Sequence, residues 1–160
     1  MPARILFVID GMEFGGGERV FAQLINGLPR ERFASFLATA ENDAFRTAIK
    51  AQHLTLVLID FSNRYNIFIL FTLMRVIRQE RIDIVHGQGA RAEFYARLAA
   101  RLAGGKPYVS TIAVPVTGFD VDRVRKSLYR SLDRFTERYV DRFIVVSDRL
   151  ANEMLHGHGL

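Results

Sequence analysis

The sequence predicts an α/β fold, a doubly wound and mostly parallel sheet of about six strands in a three-layer α/β/α arrangement. Short apolar runs alternate with helical patterns along the chain, which is the order of a parallel sheet covered by helices on both faces. The first run, RILFVI at 4–9, is apolar without interruption after Arg4, as is usual for a strand buried on both sides. Three consecutive glycines follow and lead into a helix, at the place where such sheets bind ligands.

The first half of the chain is predicted to contribute three strands and two helices. Residues 18–28 place apolar side chains at helical spacing and form the first helix. FASFLAT at 33–39 is the second strand, and Asn42 is suited to cap a short helix over 42–52. LTLVLID at 54–60 is rich in residues that favour strands and is the third strand.

The second half continues the alternation, beginning with a helix from about 66 to 80. Its apolar run IFILFTLM at 67–74 is far shorter than the about 20 residues of a membrane span, so we interpret it as a buried helix face. The remaining predicted elements are a strand at 83–87, a helix at 90–104, a strand at 107–114, a basic helix within 121–143, a strand at 142–147 and a helix at 148–157. This Rossmann-like pattern fills 1–160 as a single domain.

Composition excludes some classes of site and partner. The chain has no cysteine, which rules out disulfides and thiolate metal sites. Its net charge is +5, and the segment 121–143 holds seven basic and four acidic residues. This segment is either a solvated amphipathic helix or a surface that faces anionic lipid or a phosphorylated ligand. Nucleic acid is not expected as a partner, because acidic residues interrupt the basic ones and no nucleic-acid motif accompanies them.

The loop at Gly15, Gly16 and Gly17 is suited to a phosphate, because backbone N–H groups and a helix N-terminus meet there without side chains. It is not a Walker A loop, since Gly17 and Glu18 replace the lysine and the hydroxyl residue of that motif. It also fails the dinucleotide fingerprint, since Val20 occupies the third glycine position. Two interpretations remain, a tight turn with close helix–strand packing or a backbone surface over a ligand.

Three stretches resemble a known family. RILFVIDGMEFGGGERVFAQLINGL at 4–28 resembles the opening of group 1 (family 4) glycosyltransferases of the GT-B fold, whose pattern is a strand, a loop ending in G-G-x-E-R and an amphipathic helix. IDIVHGQGARAEFYARLAARLAG at 82–104 resembles a second stretch, D-x-V-H-x-H followed by a helix of small residues. RFIVVS at 142–147 is similar to a third, a strand ending in serine near the close of the N-terminal domain.

The resemblance implies a retaining, two-domain enzyme of the hexosyl-transferase type that needs no metal and no cofactor besides its nucleotide-sugar substrate. Residues 1–160 would be the N-terminal, acceptor-side half. The C-terminal donor domain, with its E-x7-E motif and nucleotide pocket, would be missing. We therefore expect the isolated chain to be nearly inactive.

The resemblance also assigns candidate site residues. Gly15, Gly16 and Gly17 would approach the donor diphosphate. His86 matches the first histidine of the H-x-H stretch, Gln88 stands where the second often lies, and Arg91 would meet an anionic group of the acceptor. Each also has a purely structural interpretation, His86 as a buried structural histidine and the other two as ordinary polar residues. Ala113 stands where many members have a histidine, so the catalytic residue stays unassigned.

Cell-surface polysaccharide or lipid-linked glycan synthesis at the cytoplasmic face of a membrane is the expected role, with a glycan or lipid-linked acceptor. The basic segment 121–143 and the aromatic stretch FSNRYNIFILF at 61–71 suggest contact with an anionic membrane surface. Two alternatives remain open from the sequence. One is a dinucleotide-binding oxidoreductase domain, and the other is a non-catalytic flavodoxin-like interaction module.

Overall fold

The computed structural model describes residues 1–51, 53–63, 65–112, 135–149 and 151–152. Within them, six strands form one sheet in which every neighbouring pair is parallel. The strands are β1 (Ala3–Ile9), β2 (Phe33–Thr39), β3 (Thr55–Leu58), β4 (Ile84–Gln88), β5 (Tyr108–Ile112) and β6 (Arg142–Val145). The helices are α1 (Gly16–Gly27), α2 (Asp43–Ala48), α3 (Phe68–Gln79) and α4 (Ala90–Leu102). The predicted fold class is confirmed.

The core lies on both faces of the sheet. Along β1, Ile5, Phe7 and Ile9 pack on one face in a cluster that includes residues of α1 and α2. Leu6 and Val8 point the other way, into a cluster that includes residues of α3 and α4. Strand residues alternate between faces, so burying both faces requires the uninterrupted apolar sequence seen at 5–9.

The sheet order is β3-β2-β1-β4-β5-β6. The chain leaves β1 toward β2 on one side, and it leaves β4 toward β5 on the other. The neighbouring strands β1 and β4 therefore form the switch point of the sheet, where sheets of this kind bind ligands in a crevice beyond the carboxyl ends of the strands. Both α1 and α4 begin beside this crevice.

Helix boundaries shift slightly from the predicted ones. The first helix starts two residues earlier than predicted, since Gly15 is its N-cap and Gly16 its first residue. The cap of α2 is confirmed, because the Asn42 side chain accepts a hydrogen bond from the backbone N–H of Phe45 at 3.0 Å. That helix ends at Ala48, before the predicted boundary, since Ile49 is already extended.

The interpretation of IFILFTLM as a buried face is wrong for three of its eight residues, since Ile67, Phe68 and Phe71 are exposed. Ile69, Leu70 and Leu73 are buried, but Phe68 is 72% exposed and Phe71 is 58% exposed. The reason is geometric, because α3 packs against α4 and the sheet along one side only, whereas the apolar run extends around the helix. No helix among the described residues has the length and apolarity that crossing a membrane would require.

Several predictions fall on parts of the chain outside the described residues. These are Ala113, most of the basic segment 121–143, and most of the predicted last helix at 148–157.

Candidate ligand site at the carboxyl ends of β1 and β4

The glycine loop lies open at the switch point. Gly15 and Gly16 are exposed, and Gly17 is partly exposed. A Cβ added to Gly16 would meet no atom within 4 Å, so the main chain there is accessible. The first N–H groups of a helix have no partner within that helix, and they carry the positive end of its dipole. The packing therefore leaves this loop free to receive an anionic group.

The side chain of Glu18 bonds back to the glycine loop. Its side chain is buried, and its Oε2 accepts a hydrogen bond from the backbone N–H of Gly15 at 2.9 Å. This bond caps the start of α1, as a carboxylate at the third helical position commonly does. The carboxylate therefore already occupies the N–H group of Gly15.

Gln88 ends β4 directly beneath the glycines. The side chain is only 4% exposed, and a Cβ added to Gly17 would lie 2.7 Å from its Nε2. Gly17 therefore allows a close approach between the first turn of α1 and this amide. The Oε1 atom is buried and has no hydrogen-bond partner among the described residues. A buried amide oxygen without a partner is costly, at about 1–3 kcal/mol, unless a ligand or water completes it.

His86, two residues earlier on the same face of β4, is placed deeper. It is 5% exposed and lies beside the rings of Phe7 and Phe21, with centroid distances of 5.4 and 5.1 Å. Its Nε2 lies 2.7 Å from the hydroxyl oxygen of Thr111. Burial lowers the pKa of His86 to about 4, so the imidazole is neutral at pH 7. The ring supports the strand end beneath the site, and its predicted contact with substrate stays a prediction.

Arg91 joins three segments at the same edge. Its Nη1 donates to the backbone carbonyl of Phe61, in the loop after β3, and lies 3.5 Å from the sulfur of Met12, in the loop after β1. Arg91 itself belongs to the first turn of α4. Its guanidinium therefore links the loops around the site, and a contact with an anionic acceptor group stays a prediction.

The sequence did not reveal a buried polar network behind β4. Glu93 accepts hydrogen bonds from the Ser110 hydroxyl and from Arg97, whose Nη2 lies 2.7 Å from Glu93 Oε2. Arg97 is 2% exposed. It also donates to the hydroxyl of Thr136 at 3.4 Å, which ties α4 to a more distant segment. The spacing of Glu93 and Arg97 by four residues was visible, but their burial was not, since such pairs usually lie on exposed helix faces.

The described residues contain no cluster of three or more histidine, aspartate or glutamate side chains suited to hold a metal ion. The arrangement at the switch point is instead one of backbone N–H groups, two helix N-termini and one buried amide. Gly89, the N-cap of α4, has a φ of 87°, a left-handed conformation that other residues rarely adopt. These groups are suited to bind oxygen atoms of a phosphate or a sugar.

A family model described as Glycosyltransferase Family 4 matches residues 14–160. The chain belongs to this family. The match begins at the glycine loop and includes β4 and α4, so it contains every candidate site residue named above. It also favours a transferase over the oxidoreductase and flavodoxin-like alternatives. A comparison with curated protein sequences found no match.

Solved structures share the fold of the chain. HepE of Anabaena, crystallised with UDP and glucose, is 16% identical with a TM-score of 0.69, and the match covers 96% of this chain and 41% of that one. A glycosyltransferase from Rickettsia africae is 16% identical with a TM-score of 0.72, covering 99% and 40%. A protein of Listeria monocytogenes assigned as a UDP-N-acetylglucosamine 2-epimerase is 20% identical with a TM-score of 0.69, covering 100% and 42%.

The solved structures are thus more than twice as long as the part of them that this chain matches, since 40–42% of each is covered. Because their sequence identity to this chain is low, these structures are evidence for the fold alone. The presence of an epimerase among them means that the fold does not by itself distinguish sugar transfer from sugar epimerisation. The family match, which does not depend on these structures, makes that distinction.

Proposed function

We propose that this chain is the N-terminal, acceptor-binding domain of a retaining glycosyltransferase that uses a nucleotide sugar. A C-terminal domain would hold the nucleotide and bring the sugar to the crevice at the switch point. The observation that carries the proposal is the packing of Gly17 against the buried amide of Gln88, beneath the open main chain of Gly15 and Gly16.

The chemistry follows from these groups. When the bond between the sugar and the diphosphate breaks, negative charge develops on the leaving phosphate oxygens. Backbone N–H groups at the start of α1 would stabilise that charge without reorganising, because the helix already fixes them. The helix dipole contributes about 0.3–1 kcal/mol, and close approach to bare glycine backbone strengthens each hydrogen bond. The amide of Gln88 would orient a phosphate or sugar oxygen. Holding the reactants in place would lower the remaining part of the activation barrier.

The proposed reaction is transfer of a hexosyl unit to a glycan or lipid-linked acceptor in cell-surface polysaccharide or lipid-linked glycan synthesis, at the cytoplasmic face of a membrane. It needs no metal and no further cofactor. UDP and glucose in the HepE crystal are consistent with a nucleotide-sugar donor for proteins of this fold. The 160-residue chain alone should be nearly inactive, because the nucleotide pocket would lie in the other domain.

The test starts from the DNA downstream of residue 160. An open reading frame that continues into a second Rossmann-like domain with E-x7-E would provide the two-domain protein. That protein is then incubated with a panel of radiolabelled nucleotide sugars and lipid extracts, and label incorporated into glycan or lipid is counted. Label transferred to no acceptor, or ordinary turnover of a nucleotide sugar by residues 1–160 alone, would count against the proposal.

Two substitutions test the site within the active protein. Gly17→Val, which fills the space over the amide, and Gln88→Leu, which removes it, should each lower kcat/KM at least about tenfold, as expected for loss of one charge-stabilising or orienting contact. Arg30→Gln is the control, since Arg30 is exposed near the far end of α1. If both site variants retain the activity of the parent while the control does too, the switch-point crevice is not the site.

A further inference from the structure

Exposed aromatic and aliphatic side chains are concentrated at the start of α3. The described residues include twelve large apolar side chains that are substantially exposed, and four of these come from the seven residues 65–71. We call them the α3 patch: Tyr65 (77% exposed), Ile67 (52%), Phe68 (72%) and Phe71 (58%). Single exposed apolar residues are ordinary, but a contiguous group of them marks an interaction surface.

The same helix carries a basic end on the same side. Phe68, Phe71, Arg75 and Arg78 are spaced by three, four and three residues, so they lie along one outer stripe of α3. Arg75 donates to the side chain of Gln79 at 3.1 Å, and Arg78 donates to the carbonyl of Leu102 at 3.0 Å. Neither guanidinium forms an ion pair within the described part of the chain. The stripe thus presents rings at one end and uncompensated positive charge at the other.

The charge of this segment selects the kind of partner. Residues 61–79 contain no aspartate or glutamate, although they contain three arginines. A surface that is both apolar and cationic complements a bilayer with anionic headgroups, which offers acyl chains and phosphates together. Tyr65 adds a ring with a polar tip, the kind of side chain that is enriched at the level of lipid headgroups.

We propose that the α3 patch, with Arg75 and Arg78, docks this domain on an anionic lipid bilayer. The helix lies in the plane of the surface, its rings enter the headgroup boundary, and the arginines contact phosphates. The sequence suggested a membrane contact for both the basic segment 121–143 and the stretch 61–71, and this proposal uses only the second of them. The membrane-binding surface then lies on α3, a helix whose opposite side is buried through Ile69, Leu73 and Ile77.

The patch adjoins the candidate site. The loop before α3 leaves the carboxyl end of β3, at the same edge of the sheet as the glycine loop. Arg91 holds that loop to Met12 and α4 through the carbonyl of Phe61. Docking through α3 would hold the crevice beside the bilayer, where a lipid-linked acceptor exposes its sugar. This consequence rests on the proposed function, whereas the docking itself does not.

Vesicle sedimentation tests the docking with the 160-residue chain. Phosphatidylcholine vesicles with and without phosphatidylglycerol are mixed with the parent, with Phe68→Ser/Phe71→Ser and with Arg75→Gln/Arg78→Gln. The parent should bind the anionic vesicles, more weakly as salt rises. The variant Phe68→Ser/Phe71→Ser should weaken that binding at least about tenfold, because it loses the favourable free energy of transferring two rings from water into the bilayer interface. The arginine pair should weaken it by about tenfold or more, on anionic vesicles only.

A matched control lies at the opposite edge of the sheet. Ile144→Ser/Val146→Ser removes two apolar side chains that are 44% and 46% exposed, on and just after β6, the strand farthest from β3. This variant should bind vesicles as the parent does. All three variants alter exposed side chains, so their thermal unfolding should stay close to that of the parent, and this measurement identifies any variant that has lost its fold.

Four results would overturn the docking proposal. The first would be that the parent does not sediment with anionic vesicles. The second would be that Phe68→Ser/Phe71→Ser binds as the parent does. The third would be that substitution of Arg125, Lys126 and Arg130 by serine abolishes binding while the α3 variants retain it, which would place the membrane-binding surface on 121–143. The fourth would be that the parent is a dimer and Phe68→Ser/Phe71→Ser is a monomer, which would mean that a second copy of the chain covers the α3 patch. Transfer to a soluble acceptor by the two-domain protein should not change in the α3 variants, which separates this proposal from the proposed function.

Discussion

The two faces of β4 are completed in different ways, although both bury polar groups. On the face toward α4, Glu93, Arg97 and Ser110 form a network in which the carboxylate oxygens have donors. On the face toward α1, Gln88 keeps a buried oxygen without a partner among the described residues. Gly87 precedes Gln88 in β4. The space that a side chain at Gly87 would need is occupied by Tyr108 and Glu93.

The contrast indicates which polar residues stabilise the fold and which are left for a ligand. A buried group whose partners are all within the chain holds elements together, and its loss should unfold the domain. A buried group with an unused acceptor next to open main chain gains a partner only when something binds. Three measurements of stability test this distinction.

The largest effect should follow removal of Arg97. Arg97→Leu leaves the carboxylate of Glu93 buried without its cationic partner, which typically costs about 3–5 kcal/mol of unfolding free energy. Urea denaturation followed by circular dichroism measures this loss. The double variant Glu93→Leu/Arg97→Leu should lose clearly less than the sum of the two single variants, because no charge is left unpaired. A loss below about 1 kcal/mol for Arg97→Leu would mean that the network is not structural.

The next effect concerns His86 and pH. Its pKa in the folded chain is about 4, below the ordinary value of 6.5, because burial disfavours the charged ring. The unfolded state therefore takes up a proton first as pH falls. Stability owed to neutral His86 is complete above pH 6.5 and is lost between about pH 6.5 and 4, by up to about 3 kcal/mol.

The reference for this measurement is His86→Gln, which cannot titrate. The difference in unfolding free energy between the parent and the variant should shrink as pH falls through that window. A difference that stays constant from pH 7 to about pH 4 would show that the imidazole is not desolvated.

The smallest of the three effects should follow Gly87→Ala. The added methyl would overlap the hydroxyl of Tyr108 and crowd the side chain of Glu93, so the core must shift at a cost of about 1–3 kcal/mol. Gly27→Ala is the matched control, since a Cβ at that helical position meets nothing within 4 Å. That control should be neutral or more stable by about 0.4–1 kcal/mol. Equal melting temperatures for both variants would contradict the packing described for Gly87.

Most of the fold could be predicted from the sequence, because mainly apolar runs such as 5–9 and 33–39 are typical of strands buried on both faces. The crevice could be located for the same reason, since topology alone places Gly17 and Gln88 at one edge. The environment of His86 could not be predicted, because a histidine at a strand end can face a ligand or a core. The exposure of Phe68 and Phe71 was also missed, since an apolar run does not reveal how much of a helix its neighbours cover.

The bond from Arg91 to the carbonyl of Phe61 has a consequence for how this domain can vary. A side chain of fixed length spans two connections, so residues 59–63 cannot be lengthened without losing that anchor or shifting the first turn of α4. The connection after α1 at 28–32 has no comparable tie to the crevice among the described residues. Insertions should therefore be tolerated near Pro29 and rejected near Phe61, a difference that a library of loop-length variants would expose through expression level.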